Sequence, residues 1–300
     1  MIRVVTLPGS LDDRTLDTLA GDLGAWPPTE GILFDARASH WASPYGLTAL
    51  LTLGQAVIEA KLPPPRFTVP ESDEVRSYWA RIGFFHAAAE CFELVGRVPR
   101  KHSDAPTDVL LPVTPVRAAE DVHHVVGRIQ EAAQRILGTD LHLEAKATMG
   151  FAMTLSEACQ NVIEHAGTGG WVAVQAYHWR KRLGRKVVVI AVSDGGIGFR
   201  RSLEATEARK VGERWGDGAA LELAILHSVS RFRESGRGQG LSGIRRYLGR
   251  WQGKLSIRSG TARFSVVPDW DDDVPLAERL PWFPGSQVQI TIPAQEADPR

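Results

Sequence analysis

The stretch LSEACQNVIEHAG, residues 155–167, decides how the second half of the chain is read. Its apolar residues recur at helical spacing, and Glu157, Asn161 and His165 follow at i, i+4 and i+8. At ~100° per residue these three polar groups stay within about 80° of one helical face. One face therefore carries a carboxylate, an amide and an imidazole, while Cys159 points away from it as a small core residue. Downstream, VSDGGIGF (residues 192–199) closes the apolar run from Val187 to Val192. Asp194 thus stands where a buried strand ends, and Gly195, Gly196 and Gly198 let the chain turn with its amides exposed. An acid at the end of a buried strand is suited to recognising a base. Farther on, GRGQGLSGI (residues 236–244) opens a segment whose Leu241, Ile244, Tyr247, Leu248 and Trp251 are spaced as on a helix. Glycines at a helix N-terminus make an anion cradle from unpaired amides and the macrodipole, and phosphate is its natural ligand.

At 300 residues the chain is long for one domain, and a prior of ~150 residues per domain suggests two. Hydrophobic residues at 43% and charged residues at 23% argue against disorder, collagen-like repeats and coiled coil. Lys plus Arg equals Asp plus Glu at 35 each, so no global field favours nucleic acid or an anionic membrane, and neither is expected as a partner. Cys91 and Cys159 are too few and too isolated for a disulfide framework or a zinc site, so a reducing cytoplasm is the expected location. The opening MIRVVTLPGS lacks a basic stretch followed by an apolar segment, and no run of about 18 apolar residues occurs, so no export signal or membrane span is expected.

Residues 1–98 alternate strand and helix patterns: MIRVVTL, LDDRTLDTLAGDL, GILFDA, GLTALLTLGQAVIEA, RFTVP, the amphipathic DEVRSYWARIGFF and FELVGRV. This predicts a small α/β unit. The proline-rich residues 99–117 read as an extended linker with one strand across it. Beyond it, AAEDVHHVVGRIQEAAQRIL and LEAKATMGFAMTLSEACQNVIEHAG predict two helices. A hairpin of WVAVQAYHW and KVVVIAV follows, then further helices, then the strands GKLSIRSG, ARFSVVP and QVQITIP. This order predicts an α+β sandwich over residues 118–293 with a mixed sheet covered by helices on one face, and a tail over residues 294–300. DWDDDV near residues 269–274 matches no calcium loop and reads as a surface loop. His123 and His124 read as part of a surface-to-core helix.

The three motifs, in this order, resemble those of the GHKL ATPase superfamily (Bergerat fold), which includes histidine kinases, anti-sigma-factor kinases and type II topoisomerases. The resemblance covers roughly residues 118–293. It implies ATP and Mg²⁺ as cofactors, with Asn161 as the Mg²⁺ ligand and Glu157 as the catalytic base or water-positioning group. It further implies His165 as a phosphate contact and Asp194 as acceptor for the adenine amino group, with Gly196 and Gly198 giving the nucleotide room. Arg237, Gly238, Gln239, Gly240 and Leu241 fall in the phosphate-binding glycine box. GSQVQITIP resembles the family's last strand, which implies Ser286 near adenine in place of the usual threonine. Residues 201–235 correspond to the ATP lid, where Arg231 and Arg233, with Arg237, could reach the γ-phosphate. Residues 1–98 more weakly resemble STAS domains, through GILFDARASHWASPYGLTALL. Ser43, Pro44 and Tyr45 there replace the usual turn with its phosphorylatable serine.

The resemblance implies a signalling regulator, either a serine/threonine protein kinase of the anti-sigma-factor-kinase type or a nucleotide-gated interaction switch or slow ATPase. A protein partner, of the STAS type or a sigma-factor regulator, is expected in addition to the adenine nucleotide. The oligomeric state is left open, a homodimer included.

Overall fold

Two sheets organise the chain, and the helix pattern between them explains why they meet. The computed structural model describes residues 2–99, 108–136, 156–161, 166–180, 183–227, 229 and 240–294. In the first half, β1 (Ile2–Thr6), β3 (Gly31–Asp35), β5 (Arg66–Thr68) and β6 (Glu93–Val95) form a parallel sheet in that spatial order. Between them run α1 (Leu16–Leu23), α2 (Pro44–Glu59), α3 (Asp73–Arg81) and α4 (Phe84–Ala88), while β2 (Ser10–Leu11) and β4 (Trp41–Ala42) make a separate short pair. The amphipathic stretch expected as one element divides into α3 and α4 because Gly83 adopts a left-handed conformation between them. Phe34, Phe67, Trp79, Phe84 and Phe92 pack ring against ring at the centre of this half.

α2 starts where its local chemistry directs: the Ser43 hydroxyl accepts from the Gly46 N–H at 3.1 Å, and Pro44 occupies the first turn, where its missing donor costs nothing. Every residue from Pro44 to Gly54 is buried. A helix apolar all round has to be covered on all sides. Ser43 and Tyr45 are enclosed with it.

In the second half β7 (Val109–Val116) leads to α5 (Ala119–Ile136), and the helical residues 156–161 (α6) precede the hairpin of β8 (Gly170–Trp179) and β9 (Arg185–Asp194). After them come α7 (Gly198–Val211), α8 (Asp217–Leu226), α9 (Gly240–Arg250), β10 (Lys254–Gly260), β11 (Ala262–Val266), β12 (Leu276–Ala277) and β13 (Phe283–Pro293). The expected linker thus holds the edge strand of the second sheet. The spatial order is β12-β11-β10-β13-β9-β8-β7, and every pairing is antiparallel, which corrects the expectation of a mixed sheet. The cause lies in β13. The helices carry the chain from β9 to β10, which run in the same direction, but β13 inserts between them and opposes both.

The sheet is covered on both faces. Val172, Val188, Ile190, Leu255, Ile257 and Ile290 meet the helices of their own half through Val125, Cys159, Leu221, Ile244 and Leu248. Trp171, Ala173, Ala191 and Phe283 on the opposite face join the core of the first half, with α2 lying across β8, β9 and β13. Ion pairs tie the two halves beside it. Lys254 Nζ lies 3.3 Å from Asp13, 3.2 Å from Asp271 and 3.0 Å from Asp273. Asp17 holds Arg258 at 2.8 Å and Arg263 at 3.0 Å. DWDDDV is a surface loop as expected, with Asp269, Asp272 and Val274 exposed, but the Asp271 side chain turns inward and is 0% exposed. Together with Asp273 it satisfies cations that the strands bury.

Candidate functional site

The described turns of α6 set Cys159 and Ala158 into the core and leave Glu157 and Asn161 half-buried. Burial pushes the Cys159 thiol up to about 12, so it behaves as an inert apolar group. Asn161 Nδ2 is buried without a hydrogen-bond partner among the described residues. His165 lies outside the described residues, as do Arg231, Arg233, Arg237, Gly238 and Gln239. His123 and His124 are exposed on α5 beside the buried Val122 and Val125.

β9 ends at Asp194, which pairs with Gly170 of β8 on one side and Ser286 of β13 on the other. Its side chain is therefore enclosed, and the residue is 6% exposed. The Gly196 N–H donates to Asp194 Oδ1 at 2.9 Å, and the Ser286 N–H also donates to this carboxylate. Burial pushes the carboxyl up to about 7; the two amides work against that rise, and the charge of Glu59 adds to it. A buried acid that titrates near neutrality, with spare acceptor capacity, can take a hydrogen bond from an amino group on a ring.

The glycines around it serve the chain's own backbone as well. A Cβ on Gly196 would lie 2.2 Å from the carbonyl oxygen of Ala166, the same oxygen that accepts from the Ile197 N–H at 3.2 Å. This locks the turn after Asp194 against the chain leaving α6. Gly285 has φ +64°, and a Cβ there would lie 1.9 Å from the Asp194 carbonyl oxygen. Gly198 also adopts positive φ, at +71°, so the room expected for a nucleotide at Gly196 and Gly198 is in part claimed by protein atoms. Gly240 opens α9, while Leu241 buries its side chain in the core, which leaves only its backbone for an anion. Ser259 Oγ receives the Phe199 N–H at 3.1 Å and donates to the Gly285 carbonyl at 3.0 Å, tying α7 to the β10 and β13 ends. Residues 148–296 match the histidine kinase-, DNA gyrase B-, and HSP90-like ATPase family. No curated protein matches the chain.

In this ATPase-like domain the match supports adenine-nucleotide binding, and such domains take ATP, typically with Mg²⁺. The chemistry present fits both. The Asn161 amide, whose Nδ2 has no partner among the described residues, lies one turn from the Glu157 carboxylate, and the enclosed Asp194 carries the acceptor oxygens a base requires. A cavity of about 990 Å³ opens beside the turn after Asp194, bordered by Gly195 to Gly198, Arg200, Trp282 and, from the first half, Trp26, Ala56 and Glu59, while Glu157, Asn161 and Asp194 do not line it. The sequence reading did not foresee residues of the first half beside this turn. No helix among the described residues is long and apolar enough to cross a membrane.

Proposed function

We propose that the chain is a signalling regulator that binds ATP with Mg²⁺ in its second half and acts as a serine/threonine protein kinase of the anti-sigma-factor-kinase type. The observation that carries the nucleotide assignment is the enclosed Asp194 between Gly170 and Ser286, with its carboxyl raised by burial and braced by two backbone amides. Asp194 accepts from the adenine amino group, with Ser286 beside it. Asn161 is the protein ligand for Mg²⁺, and Gly240 and Leu241 offer backbone amides to phosphate, with His165, Arg237, Gly238 and Gln239 assigned there by motif. Bound ATP supplies the phosphoryl group. Glu157 takes the proton of the accepting hydroxyl on the partner protein, as a positioned carboxylate does in general-base catalysis.

The second reading, a nucleotide-gated interaction switch, draws on the first half, which resembles STAS domains and rests directly on the sheet that carries Asp194. Its counterpart of the phosphorylatable turn is enclosed, with Ser43 committed to capping α2 and Tyr45 buried, which favours docking over phosphorylation there. Calorimetric titration of ATP with Mg²⁺ on the intact chain and on Asn161→Ala tests the shared premise. Binding is expected in the first and loss of its Mg²⁺ dependence in the second; no binding by the intact chain removes the proposal. Labelled γ-phosphate appearing on a candidate partner separates kinase from switch, and its absence with ATP still bound favours the switch.

A further inference from the structure

Within its own turn Asp194 is braced only by the Gly196 N–H on Oδ1. Gly195 and Gly196 have no side chains, so side-chain packing against the turn must come from neighbouring elements. On one side that neighbour is the Ala166 backbone. On the other it is α2, from the opposite half of the chain. Thr48, Thr52 and Ala56 follow at i, i+4 and i+8 and lie within about 80° of one helical face. Thr48 Oγ1 is 2.9 Å from Ser193 Oγ, and both residues are 0% exposed. A Cβ built on Gly195 would sit 3.6 Å from Ala56 Cβ and 3.7 Å from Thr52 Cγ2, so the helix faces the Gly195 backbone across a gap of about one methyl group. The stripe therefore bonds the residue before Asp194 and faces the residue after it. Gln55 extends the grip to β8: its Nε2 donates to the Gly169 carbonyl at 3.3 Å, and its Oε1 accepts from Trp171 Nε1 at 3.0 Å, on either side of the Gly170 that pairs with Asp194.

We propose that Thr48, Thr52 and Ala56 of α2 are positioning residues that set the nucleobase specificity of the site by holding Asp194 in register with its base. The inference rests on the reading that Asp194 receives adenine. Its physical basis is the narrow tolerance of a hydrogen bond, whose heavy atoms sit about 2.7–3.2 Å apart, so that a shift of ~1 Å in the acceptor forfeits the contact. A leucine at position 56 adds three carbons opposite Gly195, where the gap holds about one, and so crowds the turn. Valine at position 48 keeps the shape of threonine but leaves the buried Ser193 hydroxyl without its partner.

Specificity distinguishes positioning from mere stability. The test measures dissociation constants for ATP, GTP and inorganic triphosphate, each with Mg²⁺, on the full chain and on Ala56→Leu, Thr48→Val and Thr48→Ser. Ala56→Leu is expected to weaken ATP about tenfold, the scale of one hydrogen bond, and to lower the ATP-to-GTP preference equally while triphosphate stays within about twofold. Thr48→Val shifts the preference in the same direction, and Thr48→Ser restores it. If Ala56→Leu does not fold, the Thr48 pair decides. Folded variants with an unchanged ATP-to-GTP ratio, or with triphosphate weakened in parallel, overturn this inference alone. A wild-type chain that binds no adenine nucleotide overturns the functional reading and this inference with it.

Discussion

On the face of the seven-stranded sheet that meets α5 to α9, the inward residues are Val172, Val188, Ile190, Leu255, Ile257 and Ile290. On the face that meets the first half, the same strands present Gln175, Ser193, Lys254, Arg258, Gln287 and Gln289, all buried. The first face is an ordinary aliphatic core whose cohesion needs no particular register. The second is covered by α2 where its residues are small or aromatic, and by the Asp13 and Asp17 region where they are cationic. Buried charges tolerate only the geometry that pairs them, so the polar face dictates where the first half sits and hence what lies beneath Asp194.

The comparison breaks most sharply at Lys254. Lys254→Ala leaves Asp13, Asp271 and Asp273 short of their shared cation in a buried site and is expected to cost about 3–5 kcal/mol, read from urea unfolding of the intact chain. Burial raises the Asp273 carboxyl, but the hydrogen bond from Lys254 and the charges of Lys254 and Arg263 bring it below its ordinary range, so stability from this pair is lost as pH falls and Lys254→Ala flattens that acid dependence. On the aliphatic face, Ile190→Ala is expected to cost about 2–4 kcal/mol by cavity formation in the same unfolding assay. Its slope of stability against acid pH is expected to match that of the unaltered chain, which separates the two faces.

A third expectation concerns pH. Asp194 is raised to about 7 in the folded chain against an ordinary 3.8, first by burial and then by Glu59. The contribution this group makes to stability is fully present below the ordinary value and is lost as pH rises through about 7. The ionised carboxylate is the stronger acceptor for the amino group of a base, so nucleotide affinity runs the opposite way and falls as pH drops below that point, by up to about tenfold in all, the scale of one hydrogen bond. Asp194→Asn removes both slopes in calorimetric titrations and thermal melts from about pH 5 to 8, on either side of the titration near 7. The smallest effect is expected at Thr52, whose hydroxyl is buried without a partner among the described residues. Thr52→Val should raise stability by up to about 1 kcal/mol in urea unfolding, because an unsatisfied polar atom is replaced by an apolar group of the same shape.

Much of this molecule was legible in its residues. The helical pattern around Glu157 and Asn161, the strand running into Asp194, the glycine-led α9 and the alternation in QVQITIP all appear at their expected positions, because each depends on neighbours a few residues away. The sheet's antiparallel pairing was not legible: β13 comes last in the chain but inserts between β9 and β10, and no local pattern encodes insertion. The burial of Lys254 and Arg258 was not legible either, because polar residues at period two are normally exposed and the acids that pair these cations lie far away in the chain. Gly285 looked like part of a strand signature, whereas its missing side chain is what lets β13 pass the Asp194 carbonyl.

By itself, then, the amino-acid sequence determined most of the elements and carried the motifs that match an ATPase-like domain, since periodicity, capping and glycine turns are settled within a few residues. Only the tertiary structure decided that the polar face of the second sheet is buried and that α2 lies under the turn at Asp194. Thr48 and Ser193 are 145 residues apart, and a contact at that distance is chosen by the collective fit of burial and charge pairing, which leaves no local mark on the chain.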